Sequence, residues 1–107
     1  MKNRKIIDPK ESKVYLIGSG IASLASAVYL IKDAGVPGEN IHILEKDNIA
    51  GGALDGAGDP EKGFVVRGGR MHEMHYECYW ELLSHIPSLE DPNVSVRDES
   101  YEFNERF

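Results

Sequence analysis

Cysteine is almost absent, with Cys78 the one example in 107 residues. That excludes an internal disulfide framework and a Cys-rich zinc site. No apolar stretch approaches the roughly 18 residues that a membrane span needs, so no transmembrane segment is expected. The basic start Lys2-Asn3-Arg4-Lys5 runs into Ile6-Ile7-Asp8-Pro9-Lys10-Glu11, which lacks the apolar core of a secretory signal. Positive charge is in deficit: 12 Lys+Arg stand against 18 Asp+Glu, a formal charge of −6. Phosphate-backbone binding needs clustered basic surface, so nucleic acid is not expected as a partner. No internal repeat is visible. What is present, 41% hydrophobic and 28% charged residues, suits one small folded domain, expected in the cytoplasm.

Residues 1–12 are polar, contain Asp8-Pro9 and read as an arm; residues 13–107 carry the folded part. Val14-Tyr15-Leu16-Ile17 is a continuous apolar or β-preferring run, which suits a strand buried on both faces of a parallel sheet. It breaks at Gly18-Ser19-Gly20. From Ile21 the pattern becomes Ala22, Leu24, Ala25, Ala27, Val28, Leu30 and Ile31, a helix with a narrow Ala-rich face, closed by Gly35 and Pro37. Ile41-His42-Ile43-Leu44 is a second strand ending at Glu45, so the segment forms one βαβ unit. Residues 46–63, rich in Gly and Asp, read as an extended loop, and Phe64-Val65-Val66 as a short strand. An amphipathic helix is expected from Met71 to about Ile86, with Met74, Cys78, Leu82 and Ile86 on one face and Cys78 buried there. Tyr79 and Trp80 read as packing residues. Val94-Ser95-Val96 reads as a third strand, and the acidic stretch through Asp98, Glu99, Glu102 and Glu105 as solvated surface. The fold class is therefore α/β, an incomplete Rossmann-like domain: a doubly wound sheet usually has five or six strands, and three or four are visible.

Gly18-Ser19-Gly20-Ile21-Ala22-Ser23 has the spacing of a dinucleotide fingerprint with Ser23 at the third glycine position. The first glycine makes the tight turn. The second lets backbone approach a pyrophosphate, which rests on the free N–H groups and positive dipole end of the helix. Its place between an apolar strand and a small-residue helix supports a ligand role over a bare turn. Glu45 follows Ser23 by 22 residues, ends the second strand and can accept hydrogen bonds from both ribose hydroxyls of an adenosine; it would repel a 2′-phosphate. Lys46 follows it. Gly51-Gly52, six residues beyond Glu45, would let the chain pass close to the cofactor, and Arg67-Gly68-Gly69-Arg70 would bring two guanidinium groups to a pyrophosphate or flavin. This order favours FAD over NAD.

Together these segments resemble the oleate hydratase, or myosin-cross-reactive antigen, family. The resemblance runs through Gly18-Ser19-Gly20-Ile21-Ala22-Ser23-Leu24-Ala25-Ser26-Ala27, Ile43-Leu44-Glu45, Gly51-Gly52-Ala53-Leu54-Asp55-Gly56 and Arg67-Gly68-Gly69-Arg70. It continues in His75-Tyr76-Glu77-Cys78-Tyr79-Trp80 and Ile86-Pro87-Ser88-Leu89-Glu90, covering most of residues 12–92. It implies FAD as cofactor, an unsaturated fatty acid as substrate, and addition of water across its cis double bond to give a hydroxy fatty acid, without net redox change. The flavin is then bound by Gly18, Gly20, Ile21, Ala22, Ser23, Glu45, Lys46, Gly51, Gly52, Arg67, Gly68, Gly69, Arg70 and Met71. Family members are several times longer, and residues 13–107 resemble the N-terminal part of their FAD-binding domain. The resemblance also leaves open a homodimer and a peripheral membrane contact for the full-length form.

Many members of that family place Glu directly after the second arginine, where this chain has Met71; others carry a Met-rich version with the acid two residues on, which Glu73 matches. A carboxylate there can take a proton from water if burial beside the flavin raises its pKa. The same residue can equally be an exposed acid in the first turn of a helix. The family's proton-donating tyrosine lies beyond residue 107, so the chain alone is expected to lack activity. His72-Glu73-Met74-His75 spaces its histidines three apart, not the four of the zinc-protease motif, and no metal is expected. Two rivals remain: the front of another FAD oxidoreductase of amine-oxidase or desaturase type, and a truncated remnant with no activity.

Overall fold

The computed structural model describes residues 6–68 and 71–106. The chain divides into two compact units, residues 1–69 and 70–107.

In the first unit Asp8 caps a single 3-10 turn at Pro9–Glu11 through its side chain, and Asn40 Nδ2 donates to the Lys10 carbonyl at 3.3 Å. Strand β1 (Val14–Ile17) pairs in parallel with β2 (Ile41–Leu44), in register Val14↔Ile41 through Ile17↔Leu44. Helix α1 (Ile21–Lys32) connects them. It ends where Gly35 takes a positive φ of 74° and Pro37 forbids continuation. This is a βαβ unit, and the α/β class follows. Burial alternates along both strands. Val14, Leu16, Ile41 and Ile43 are half-buried, while Tyr15, Ile17, His42 and Leu44 on the opposite face are exposed. The expectation of a strand buried on both faces is thus corrected: a crossover helix covers one face of its sheet, and Ile17 on the other is 78% exposed. Tyr15 and His42 stack across that open face with centroids 5.0 Å apart.

The expected loop over residues 46–63 is also corrected, because it contains a strand. β3 (Gly56–Asp59) pairs antiparallel with β4 (Gly63–Val66), the latter containing the expected Phe64-Val65-Val66. Asp59 Oδ1 accepts the N–H groups of Glu61 and Lys62 at 2.9 and 2.7 Å, which sets the turn.

In the second unit the helix is shorter than its periodicity predicts. α2 covers Glu77–Ser84; Met71–Tyr76 are non-helical. The reason lies in Trp80, whose Nε1 donates to the Glu73 carbonyl at 3.0 Å, so the preceding chain folds back over the ring instead of continuing the helix. Cys78 is consequently exposed, not buried, and the buried residues of α2 are Trp80 and Leu82. The expected strand at Val94–Val96 is a second correction. Ser95 forms one isolated antiparallel bridge with Pro87, and Val96 opens helix α3 (Val96–Arg106). Ser95 Oγ accepts the Asp98 N–H at 3.1 Å, an N-cap reinforced by Asp98 and Glu99 in the first turn. The local cap outweighs the β-preference of two valines. α3 lies against α2, with the Trp80 and Tyr101 rings 5.0 Å apart. Ser88, buried, joins the connection to α3: its hydroxyl donates to Glu99 Oε2 and accepts the Glu90 N–H at 3.1 Å.

Candidate functional site

Gly18 ends β1 with φ +86°, a conformation that suits glycine. Its N–H donates to the Leu44 carbonyl at 2.7 Å, so the turn is tied to the end of β2. Gly20 is the N-cap of α1 and no side chain caps it. The N–H groups of Ile21, Ala22 and Ser23 belong to the first helical turn, where no intrahelical acceptor exists. A Cβ placed on Gly18 or Gly20 would meet no atom within 4 Å, so the space over the turn is open. This is the arrangement that an anionic group requires: uncapped donors, the positive end of a helix dipole and no side chain in the way.

Glu45 stands at the other side of the turn, one residue past β2. Its Oε1 accepts the Ser19 N–H at 3.0 Å and the Ser19 hydroxyl, and its Oε2 accepts the Asp47 N–H at 2.9 Å. These bonds, that from the Asp47 backbone first and those from the Ser19 side chain and backbone next, hold its pKa below the ordinary value of 4.5. The carboxylate is therefore ionised at neutral pH. Lys46 beside it is exposed.

The double glycine folds back onto the same turn. Gly51 N–H donates to the Ser19 carbonyl at 2.8 Å and approaches the Ser19 hydroxyl at 3.3 Å. Gly52 has φ +60°, and a Cβ on it would lie 3.1 Å from Gly20 Cα. The segments expected to serve one cofactor, Gly18–Ser23, Glu45 and Gly51-Gly52, are thus brought together, with Ser19 at their meeting point and only 3% exposed.

Arg67 lies elsewhere in the unit. Its Nε and Nη2 donate to Asp55 Oδ1 and Oδ2 at 2.9 and 3.2 Å, a bidentate pair spanning the open end of the β3–β4 hairpin. The pairing with Asp55 raises the guanidinium pKa further. Gly68 is exposed, while Gly69 and Arg70 lie outside the described residues. Met71 and Glu73 belong to the second unit. Met71 is 91% exposed, and the Glu73 carboxylate, also exposed, sits 3.1 Å from His75 Nδ1. The other histidine of that segment, His72, stacks on Tyr79 with centroids 4.7 Å apart; desolvation raises the Tyr79 pKa. Among the described residues no group of three His, Cys, Asp or Glu side chains is placed to hold a metal ion.

Residue-by-residue reading missed three participants: Ser19, Asp47 and Asp55. A signal for Ser19 exists, since it is a hydroxyl between two glycines and faces whatever ends β2. Asp55 and Arg67 are 12 residues apart, and only the pairing of β3 with β4 brings them together.

The turn, the acidic strand end and the returning glycines define a βαβ module with an open, donor-lined helix terminus. The model of the MCRA family matches residues 11–107, and the chain belongs to that family. It is 50% identical over 91 residues to an oleate hydratase of Streptococcus pyogenes serotype M49 (strain NZ131), a match covering 85% of this chain and 15% of that protein. It is 31% identical over 112 residues to a linoleate hydratase of Lactiplantibacillus plantarum, covering 88% of this chain and 19% of that protein. The chain therefore spans less than a fifth of the length of these relatives.

Proposed function

We propose that residues 13–107 form the front of a Rossmann-like FAD-binding domain of a fatty acid hydratase, which adds water to the cis double bond of an unsaturated fatty acid. The observation that carries this is the convergence on Ser19: Glu45 and Gly51 both bond to it, so fingerprint, ribose carboxylate and double glycine form one cradle. The open space at Gly18 and Gly20 fits a pyrophosphate on the N–H groups of Ile21, Ala22 and Ser23. Glu45, ionised, accepts from the adenosine ribose and disfavours a 2′-phosphate. Gly51 and Gly52 keep the returning chain low beside the turn. The arginine–glycine motif from Arg67 to Met71 is assigned to the flavin from the family resemblance alone; among its described residues Arg67 is paired with Asp55. By sequence position Glu73 matches the acid that some family members carry two residues past the motif, although its carboxylate is exposed and lies beside His75. The flavin, when bound, shapes and charges the site without turning over. The relatives, named as oleate and linoleate hydratases, favour hydration over the redox chemistry of an amine-oxidase- or desaturase-like flavoprotein.

Titration of the 107-residue chain with FAD, followed by flavin fluorescence, tests the cofactor assignment. Saturable quenching that disappears in Gly20→Trp is the expected result, because the indole fills the open space over the turn. Equal binding by the variant would remove the fingerprint from the proposal.

A further inference from the structure

Asp55 stands at the foot of the double-glycine turn. The 3-10 turn Gly52–Leu54 ends on it, its N–H donates to the Gly52 carbonyl at 3.2 Å, and a Cβ on Gly51 would lie 3.1 Å from its Cα. Gly51 and Gly52 in turn meet the fingerprint, through the Gly51 N–H on the Ser19 carbonyl and the close approach of Gly52 to Gly20. Asp55 is also the residue before β3, and Arg67 the residue after β4, so the pairing of Gly56 with Val66 sets them opposite each other. The Asp55 side chain is only 18% exposed, against 64% for Arg67. A sheltered carboxylate thus has both oxygens bonded by a guanidinium at the surface. The charge of Asp47, whose N–H bonds Glu45, acts on the same guanidinium. A two-stranded hairpin has little stability alone, β4 is exposed along its length, and the ion pair closes the hairpin's open end.

On the dinucleotide reading proposed above, we infer that Arg67 is a positioning residue: by bonding Asp55 it holds the Gly51-Gly52 turn against Ser19 and Gly20, and it acts on the cofactor site through that turn, not by touching the flavin. The motif alone suggests the opposite, since an arginine beside two glycines reads as a donor to the cofactor. The path is short and continuous, from guanidinium to Asp55, through the 3-10 turn to Gly51, and on to Ser19. Only a guanidinium bonds both oxygens of a carboxylate in this way, so lysine is no substitute.

The test reads hydrogen exchange of the Gly51 amide by NMR in the 107-residue chain without FAD, and then FAD affinity. Arg67→Met is expected to speed Gly51 exchange about fivefold, the size expected of a well-formed ion pair near the surface. The Val36 amide, bonded to the Leu30 carbonyl at 2.9 Å beyond the far end of α1, is expected to keep its rate. Asp55→Asn should do the same. No change at Gly51, or equal acceleration at Gly51 and Val36 as in a general loss of stability, overturns the inference. Each single variant should bind FAD about fivefold more weakly. The double variant Asp55→Asn/Arg67→Met should stay within about twofold of Asp55→Asn, because both changes remove one interaction. A further fivefold loss in the double variant would mean that Arg67 meets the flavin directly, and would also overturn it. Should the Asp55 variants not fold, Arg67→Met, altered at an exposed side chain, still decides through the two amides. Failure of the natural chain to bind FAD would instead overturn the dinucleotide reading, and the amides would still decide whether Arg67 holds the turn.

Discussion

Glu45 shows how much a single side chain contributes to this turn. With its pKa lowered by donors from Asp47 and Ser19, it contributes to stability above the ordinary carboxylate range, and that contribution is lost as pH falls through its folded value. Followed by NMR, the Ser19 amide proton is expected to titrate with a midpoint below 4.5, and Glu45→Gln to abolish that titration; a midpoint above 4.5 would contradict the bonding described here. Gly52 carries a different constraint. At φ +60° and with Gly20 Cα 3.1 Å from where its Cβ would stand, Gly52→Ala costs about 1–2 kcal/mol from the left-handed backbone alone. Urea unfolding measures that cost, and FAD affinity should fall in the same variant. The fingerprint spacing and Glu45 were legible in the sequence because they follow from strand and helix geometry over short spans. The hydrogen bonds among Ser19, Glu45 and Gly51 were not, because they join residues 26 and 32 positions apart.

At the scale of elements, hydrophobic periodicity placed β1, α1, β2 and β4 well and failed where local hydrogen bonding competed with it. The apolar spacing from Met74 to Ile86 suggests one long helix, yet Trp80 binds the Glu73 carbonyl and α2 begins only at Glu77. Val94-Ser95-Val96 has strand composition, yet Ser95 caps α3. Ser95→Ala is accordingly expected to destabilise the second unit by about 1 kcal/mol, read as lost helical ellipticity at a given urea concentration. An unchanged signal would mean that the cap contributes nothing. The strand β3 escaped notice because Gly56, Ala57 and Gly58 carry no strand propensity of their own. Their pairing comes from β4 and the Asp59 turn.

Over the whole molecule, the buried apolar side chains among the described residues are Val36, Trp80 and Leu82. Tyr15, Ile17 and Leu44 on one sheet face and Phe64, Val65 and Val66 on β4 remain exposed. Exposed and buried apolar positions should thus respond very differently to substitution. Leu82→Ala is expected to cost about 2–5 kcal/mol, whereas Ile17→Asn should stay within about 0.5 kcal/mol of the natural chain. Chemical denaturation of the two variants compares them directly, and a large loss in Ile17→Asn would mean that the open sheet face is covered in solution. These exposed strands also explain why the expectation of two-sided burial failed. Continuous apolar character in β1 records the surroundings such a strand requires, and among the described residues none forms a covering layer over the face that carries Tyr15 and Ile17.

The amino-acid sequence by itself determined the βαβ unit, the fingerprint turn and the family, because each depends on residue order over a few dozen positions: apolar runs, small residues at fixed spacing, and an acid at a strand end. Only the tertiary structure decided that Ser19 is the junction of the site, that Arg67 is held by Asp55, and that Cys78 faces outward. Those outcomes depend on which distant segments meet, and on hydrogen-bond donors and acceptors that must be satisfied where they do.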